Sequence, residues 1–189
     1  LIQWPREELT IIENEADTEA LATSVENCEG VTLVPAFTGL GAPYWESDAR
    51  GTILGLTRGA GRPQIVRAAL EAIAYQVSDL LLACADDADL TITSLNVDGG
   101  ASANKFLMQF QADILQCEIH RPENVETTAL GTAYLAGLYS GFWKSTDEIL
   151  DLCNKTTVFR PQENAQYAEG HLRNWQNAVA TALYRAELE

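Results

Sequence analysis

"VDGGASANKF" (residues 97–106) marks the point where a strand-like run, Ile92-Thr93-Ser94-Leu95-Asn96-Val97, gives way almost at once to a helical pattern. Asp98-Gly99-Gly100 surrenders side chains at that junction. Glycine lacks a Cβ, so it permits positive φ and lets another group approach the backbone closely. In α/β sheets the carboxyl end of a strand that feeds a helix is the edge where ligands bind. The helix that follows offers unpaired amides and a positive dipole end to an anion. Ala101, Ser102 and Ala103 keep the approach open, and Asn104 presents an amide to a base, ribose or phosphate. The turn lacks the Gly-Lys-Ser/Thr of a Walker loop and is not Gly-x-Gly-x-x-Gly. Taken alone, Asp-Gly-Gly is equally a tight turn with a glycine kept for packing.

Outward from this turn, strands and helices alternate, which implies α/β architecture in one domain. Val31–Val34 and Thr52–Leu56 read as strands, the second weakened by Gly55. "RPQIVRAALEAIAYQVSDLLLACADD" is the strongest helix signal, with Pro63 in its first turn. Its apolar stripe is Ile65, Ala69, Ala72, Ile73, Val77, Leu80 and Leu81 over about six turns. Helices are also expected from Lys105 to about Leu115, over "ETTALGTAYLAGLYSGF", over "STDEILDLC", and from Pro161 to the C-terminus, with a short strand at Cys117–His120. Ala129, Gly131, Ala133, Ala136 and Gly137 would let a neighbour approach the third-last helix. Residues 6–28 fit one or two exposed acidic helices. "FTGLGAPYWESDARG" is a long glycine-rich loop, either an aromatic-anchored Ω-loop or one wall of an active-site cleft.

Composition narrows the function. The net charge of −15 opposes binding to nucleic acid or to an anionic membrane surface. Most acids (Glu7, Glu8, Glu13, Glu15, Asp17, Glu19, Asp86, Asp87, Asp89) read as solvated surface. Cys28, Cys84, Cys117 and Cys153 are too widely spaced for a zinc site and read as buried free thiols of a reducing cytoplasm. No segment reads as a signal peptide or as an apolar run long enough to span a bilayer. Leu1-Ile2-Gln3-Trp4 reads like the middle of a longer protein.

"VPAFTGLGAPYWESDARGTILGLTRG", "VDGGASANKFLMQFQADIL" and "ETTALGTAYLAGLYSGFW", in this order, resemble the C-terminal half of the glycerol kinases. These are a branch of the sugar and polyol kinase family. The resemblance covers nearly the whole chain. It implies an α/β, ribonuclease H-like (actin-like ATPase) domain, a mixed sheet flanked by helices. Residues 1–189 would then be the C-terminal nucleotide-binding domain of a two-domain kinase. The implied reaction passes the γ-phosphoryl group of Mg-ATP to glycerol, with Mg2+ held mainly by the other domain.

By position, the resemblance places Gly99, Gly100, Ala101 and Asn104 at the adenine and α-phosphate end of ATP. It places Ile2 and Gln3 on a helix flanking the nucleotide. Near Glu15 the segment departs from the family pattern, and no contact is assigned there. Asp98 is read as ordering the turn. The catalytic base and the glycerol-gripping residues belong to the other half, so no catalytic residue and no metal ligand is assigned here. Asp48, Asp79 and Asp113 qualify by residue type only. The resemblance also implies a cytoplasmic homo-oligomer, a dimer or tetramer. The alternatives are a xylulose or gluconate kinase of the same family and a non-catalytic nucleotide-sensing module.

Elsewhere, His120 and His171 read as surface or hydrogen-bonded histidines, and Glu71 as a buried acid that needs a partner. Arg50 reads as structural, pairing with Asp48 or Glu46. Trp4, Trp143 and Trp175 read as packing residues.

Overall fold

The structure is a computed structural model that describes residues 1–153 and 155–187. Two short helices open the chain, α1 (Gln3–Glu7) and α2 (Asp17–Thr23). Strands β1 (Thr32–Val34) and β2 (Thr52–Leu54) pair antiparallel, with Leu33 opposite Ile53. The long loop between them contains a cis peptide at Ala42–Pro43. Helix α3 (Arg62–Ala88) follows, then β3 (Ser94–Asn96), a 3-10 turn (Gly100–Ala103) and α4 (Lys105–Leu115). Next come β4 (Glu118–Pro122), α5 (Thr127–Ser140), α6 (Thr146–Cys153), β5 (Thr156–Phe159) and α7 (Ala165–Ala186). β4 is the centre of a second sheet, parallel to β3 (Leu95 opposite Ile119) and antiparallel to β5 (Ile119 opposite Phe159). This is the mixed sheet flanked by helices that the family resemblance implied.

Local chemistry sets the bounds of α3. Gln64 Oε1 accepts from the Gly61 amide at 3.0 Å, and Pro63 pre-sets the first turn. Asp89 ends the helix in a left-handed conformation at φ 51°. The 27 residues outrun the six turns expected, and the buried set differs from the stripe. Val66, Ala68, Ala69, Leu70, Glu71, Ala72, Ala74, Tyr75 and Ser78 are buried, whereas Leu80 is exposed. The reason is position: α2, α4 and β1 all pack on α3, so several of its faces are covered, while beyond Asp79 the helix has no buried residue. By length and mean hydropathy this helix is also apolar enough to cross a membrane. Its packing makes it the core helix of the fold.

Around α3 the core gathers Leu33, Val34, Leu107, Phe110, Ile119, Trp175 and Val179. Each such side chain contributes about 1.5–3 kcal/mol when fully buried. Tyr75 stacks on Trp175 at 5.2 Å and meets Phe110 edge-on at 5.5 Å, which joins α3, α7 and α4. β5 escaped the sequence reading, although Thr156-Thr157-Val158 is a β-branched run. Cys28 and Cys117 are buried thiols, but Cys84 is exposed, because it lies on the uncovered half of α3. The Cys153 side chain lies outside the described residues. In α5 only Gly137 is buried, where a Cβ would collide with the Trp143 indole. Ala129, Ala133 and Ala136 are exposed, and a Cβ on Gly131 would meet nothing within 4 Å.

Candidate functional site

The site is built where β3 ends. The Val97 amide donates to the His120 carbonyl at 3.0 Å, the last rung between β3 and β4. The Gly99 amide then donates to the Val125 carbonyl at 2.9 Å. Gly99 adopts φ 79° and ψ 169°, a conformation essentially restricted to glycine. Its carbonyl accepts from the Ser102 amide at 3.0 Å and from Ser102 Oγ at 2.7 Å, which folds the chain into the 3-10 turn. Arg121, on β4, donates from Nη1 to the carbonyls of Ser102 and Ala103 at 3.0 and 3.1 Å. Asp98 accepts a hydrogen bond from Thr127 Oγ1 at the start of α5, in keeping with a turn-ordering role.

Asn104 caps α4. Its Oδ1 accepts from the Leu107 amide at 2.9 Å and its Nδ2 donates to Thr18 Oγ1 at 3.1 Å. Glu19 completes the helix start by accepting from the Lys105 amide at 2.7 Å. Part of the anion-binding capacity expected of α4 is therefore taken up by the protein's own groups. The amides of Gly100 and Ala101 have no acceptor among the described residues, and both residues are exposed. The free donors lie in the turn, one step before the helix.

Ile2, Gln3, Gly100, Ala101 and Asn104 line one cavity of about 810 Å³, with Thr18, Glu19, Leu70, Ile73 and Leu107 among the other walls. The structure thus brings together residues separated by about a hundred positions. Gly99 is not a lining residue; it shapes the turn behind. Glu15, left unassigned on sequence grounds, does line the cavity. Thr18, Glu19 and Arg121 were not singled out by the sequence, since their partners lie far along the chain. The cavity carries Glu15 and Glu19 but no lysine or arginine. Its charge suits the uncharged nucleoside part of a nucleotide better than the phosphates, and the two free amides are the local donors for an anion. Residues of the glycine-rich loop do not line it; Phe37 instead packs against Trp4 at 5.3 Å.

Residues 1–139 match the C-terminal domain of the FGGY family of carbohydrate kinases. The chain belongs to that family. The chain is 55% identical over 179 residues to the glycerol kinase of Shewanella halifaxensis, covering 95% of this chain and 36% of that protein. It is also 55% identical over 188 residues to the glycerol kinase of Alkaliphilus metalliredigens, covering 100% of this chain and 37% of that protein. The FGGY domain thus spans little more than a third of the length of these relatives. Among solved structures it superposes on the glycerol kinase of Plasmodium falciparum, determined with ADP. There the TM-score is 0.86 and the identity 35%, over 96% of this chain and 36% of that one. The xylulose kinase of Lactobacillus acidophilus shares the fold at TM-score 0.75 and 23% identity, over 98% of this chain and 37% of that one.

Of the three carboxylates considered by residue type, Asp79 and Asp113 serve the fold, and Asp48 is exposed in the glycine-rich loop. Asp79 Oδ2 accepts from Tyr44 Oη at 2.8 Å and Trp175 Nε1 at 2.6 Å. Burial nevertheless holds its carboxyl above the usual aspartate range. Asp113 Oδ1 accepts from the Gln162 amide at 2.6 Å and from Gln109 Nε2 at 3.1 Å. Glu71 pairs with Arg67 Nε at 2.9 Å. Arg50 donates to the carbonyls of Ser47 and Ala49, both at 2.9 Å, rather than pairing with Asp48 or Glu46. His120 meets Glu118 at 3.0 Å. His171 Nδ1 lies 2.7 Å from Tyr75 Oη, and burial lowers its affinity for a proton.

Proposed function

We propose that this chain is the adenosine-seating C-terminal domain of a two-domain, ATP-dependent glycerol kinase that makes sn-glycerol 3-phosphate. The observation that carries the reading is the cavity at the end of β3. Ile2, Gln3, Gly100, Ala101 and Asn104 meet there around apolar walls, with two free amides and, among the described residues, no lysine or arginine. The high identity to glycerol kinases supports glycerol over a larger sugar as acceptor.

In this reading the nucleoside lies against Ile2, Leu70, Ile73 and Leu107, and the amides of Gly100 and Ala101 turn toward the first phosphate. Mg2+ would travel with the phosphates and neutralise charge that develops during transfer. The family resemblance assigns its ligands outside this domain; of the two carboxylates in this cavity, Glu15 pairs with Arg6 at 2.9 Å and Glu19 accepts from the Lys105 amide. This half orients the nucleotide so that the γ-phosphoryl group is in line with the acceptor hydroxyl; positioning supplies much of the catalysis in phosphoryl transfer. The catalytic base is assigned to the rest of the polypeptide, so the domain alone does not turn over. The enzyme in this reading is a cytoplasmic homo-oligomer.

The test follows ADP release from Mg-ATP by the intact protein with glycerol, xylulose or gluconate as acceptor. Turnover with glycerol alone supports the assignment. Turnover only with a sugar would keep the fold and overturn the acceptor. No turnover with any of them, with ADP still bound, would favour a nucleotide-sensing module.

A further inference from the structure

A second cavity, of about 860 Å³, opens on a different face of α3. Leu70 and Ile73 face the first cavity, whereas Arg67, Glu71 and Tyr75 face the second. Its far wall is the polar side of α7, and residues 26–32 close one side.

The lining is chemically selective. Among the described residues Arg67 is its only lysine or arginine, and two of its three guanidinium nitrogens are engaged. Nε pairs with Glu71 at 2.9 Å, and Nη1 donates to the carbonyls of Val25 at 2.7 Å and Ala22 at 3.3 Å. One carboxylate is thereby neutralised. Glu26 and Glu163, exposed at the mouth, have no side-chain partner among the described residues. Desolvation disfavours the charged form of His171, so the imidazole adds no compensating charge. The cavity is left with a surplus of negative charge. Within it Tyr167 and His171 stand 4.2 Å apart as an aromatic wall. An anion entering here would meet two uncompensated carboxylates, and the one guanidinium is already engaged through Nε and Nη1. A cation would meet carboxylates and aromatic faces, the pairing that recognises organic ammonium and guanidinium groups.

We propose that this cavity is a binding site for a small organic cation, a di- or polyamine or an alkylguanidine, whose charged ends meet Glu26 and Glu163 and whose stem lies against Tyr167. Its occupant bridges α7 and the 26–32 segment across Arg67–Glu71. It therefore tightens the docking of α7 without entering the nucleotide cavity.

The experiment uses the intact protein and isothermal titration with putrescine, agmatine, glucose and inorganic phosphate at fixed ionic strength. A protein of net charge −15 gathers amines non-specifically, so two variants with equal charge change are compared. One is Glu26→Gln/Glu163→Gln at the cavity mouth; the other is Asp86→Asn/Asp87→Asn at the end of α3. The expected result is saturable binding of putrescine or agmatine, weakened about tenfold or more in the mouth variant and unchanged in the α3 variant. Glucose and phosphate should not bind at this site. Equal weakening in both variants means counterion attraction only and overturns the proposal. So does the absence of saturable amine binding. ADP affinity, measured alongside, should be unchanged in both variants, which separates this inference from the nucleotide assignment.

Discussion

Trp175 donates its indole Nε1 proton to Asp79 Oδ2 at 2.6 Å across 96 residues of sequence. Tyr44 Oη donates to the same oxygen at 2.8 Å. One carboxylate therefore ties the middle of α3 to α7 and to the glycine-rich loop. Trp175→Phe keeps the ring and removes one donor. It should lower stability by about 1.5–3 kcal/mol, the range for a hydrogen bond to a charged group. Urea unfolding of wild type and variant measures it. A loss no larger than that of an exposed substitution would show that Tyr44 alone suffices to hold Asp79.

His171 supplies a pH-dependent contribution. Burial lowers its folded-state proton affinity below the ordinary value of 6.5. The unfolded chain then takes up a proton, as pH falls through 6.5, that the folded protein declines. Stability from this group is complete above 6.5 and is lost progressively as pH falls toward the lower folded value. His171→Gln retains a polar partner for Tyr75 Oη, 2.7 Å from Nδ1 in the wild type, and cannot titrate. Unfolding free energies near about pH 7.5 and about pH 5.5 should fall more steeply for wild type than for His171→Gln. Parallel slopes would place the acid sensitivity elsewhere.

What the sequence disclosed divides by range. The strand-to-helix turn at Asp98-Gly99-Gly100 was legible because its chemistry is local: a glycine-only backbone, a cap at Asn104 and an apolar period in α4. The stripe of α3 was misjudged because periodicity assumes one buried face, and α2, α4 and β1 all pack on this helix. β5 was passed over although its β-branched run was visible. Thr18 and Glu19 were read as part of a solvated acidic stretch, yet they hold residues 104 and 105. No spacing rule links positions 86 apart. Similarly, the aromatic anchors of the glycine-rich loop reach distant partners, Tyr44 to Asp79 and Phe37 to Trp4, which its local composition does not specify.

Neighbouring glycines in the turn should respond differently to substitution. Gly99 has φ 79°, so Gly99→Ala forces a strained backbone and should cost about 1–3 kcal/mol even though no atom lies within 4 Å of the added Cβ. Gly100 has no such φ, and its Cβ would also meet nothing within 4 Å. Gly100→Ala should leave stability almost unchanged. Gly100→Leu would project into the first cavity and should weaken ADP binding about tenfold or more. Thermal unfolding and ADP titration of the intact protein separate the two effects. Undiminished ADP affinity in Gly100→Leu would remove this turn from the nucleotide site.

Asn104 combines a structural role that the geometry shows with a nucleotide contact that is proposed. As N-cap it accepts from the Leu107 amide at 2.9 Å, and its amide nitrogen holds Thr18 at 3.1 Å. Asn104→Ala should cost about 0.5–2 kcal/mol of stability through the lost cap. Asn104→Ser restores a capping acceptor and should recover most of that loss, since serine caps about as well as asparagine. Serine cannot reach Thr18 or present an amide edge to a base. If Asn104 touches the nucleotide, ADP affinity should therefore fall in Asn104→Ser nearly as far as in Asn104→Ala, despite the recovered stability. If affinity returns together with stability, Asn104 acts only by fixing the start of α4, and the contacts must come from the Gly100 and Ala101 amides and the apolar walls. Measuring stability and ADP affinity on the same pair of variants decides between a residue that binds and a residue that positions.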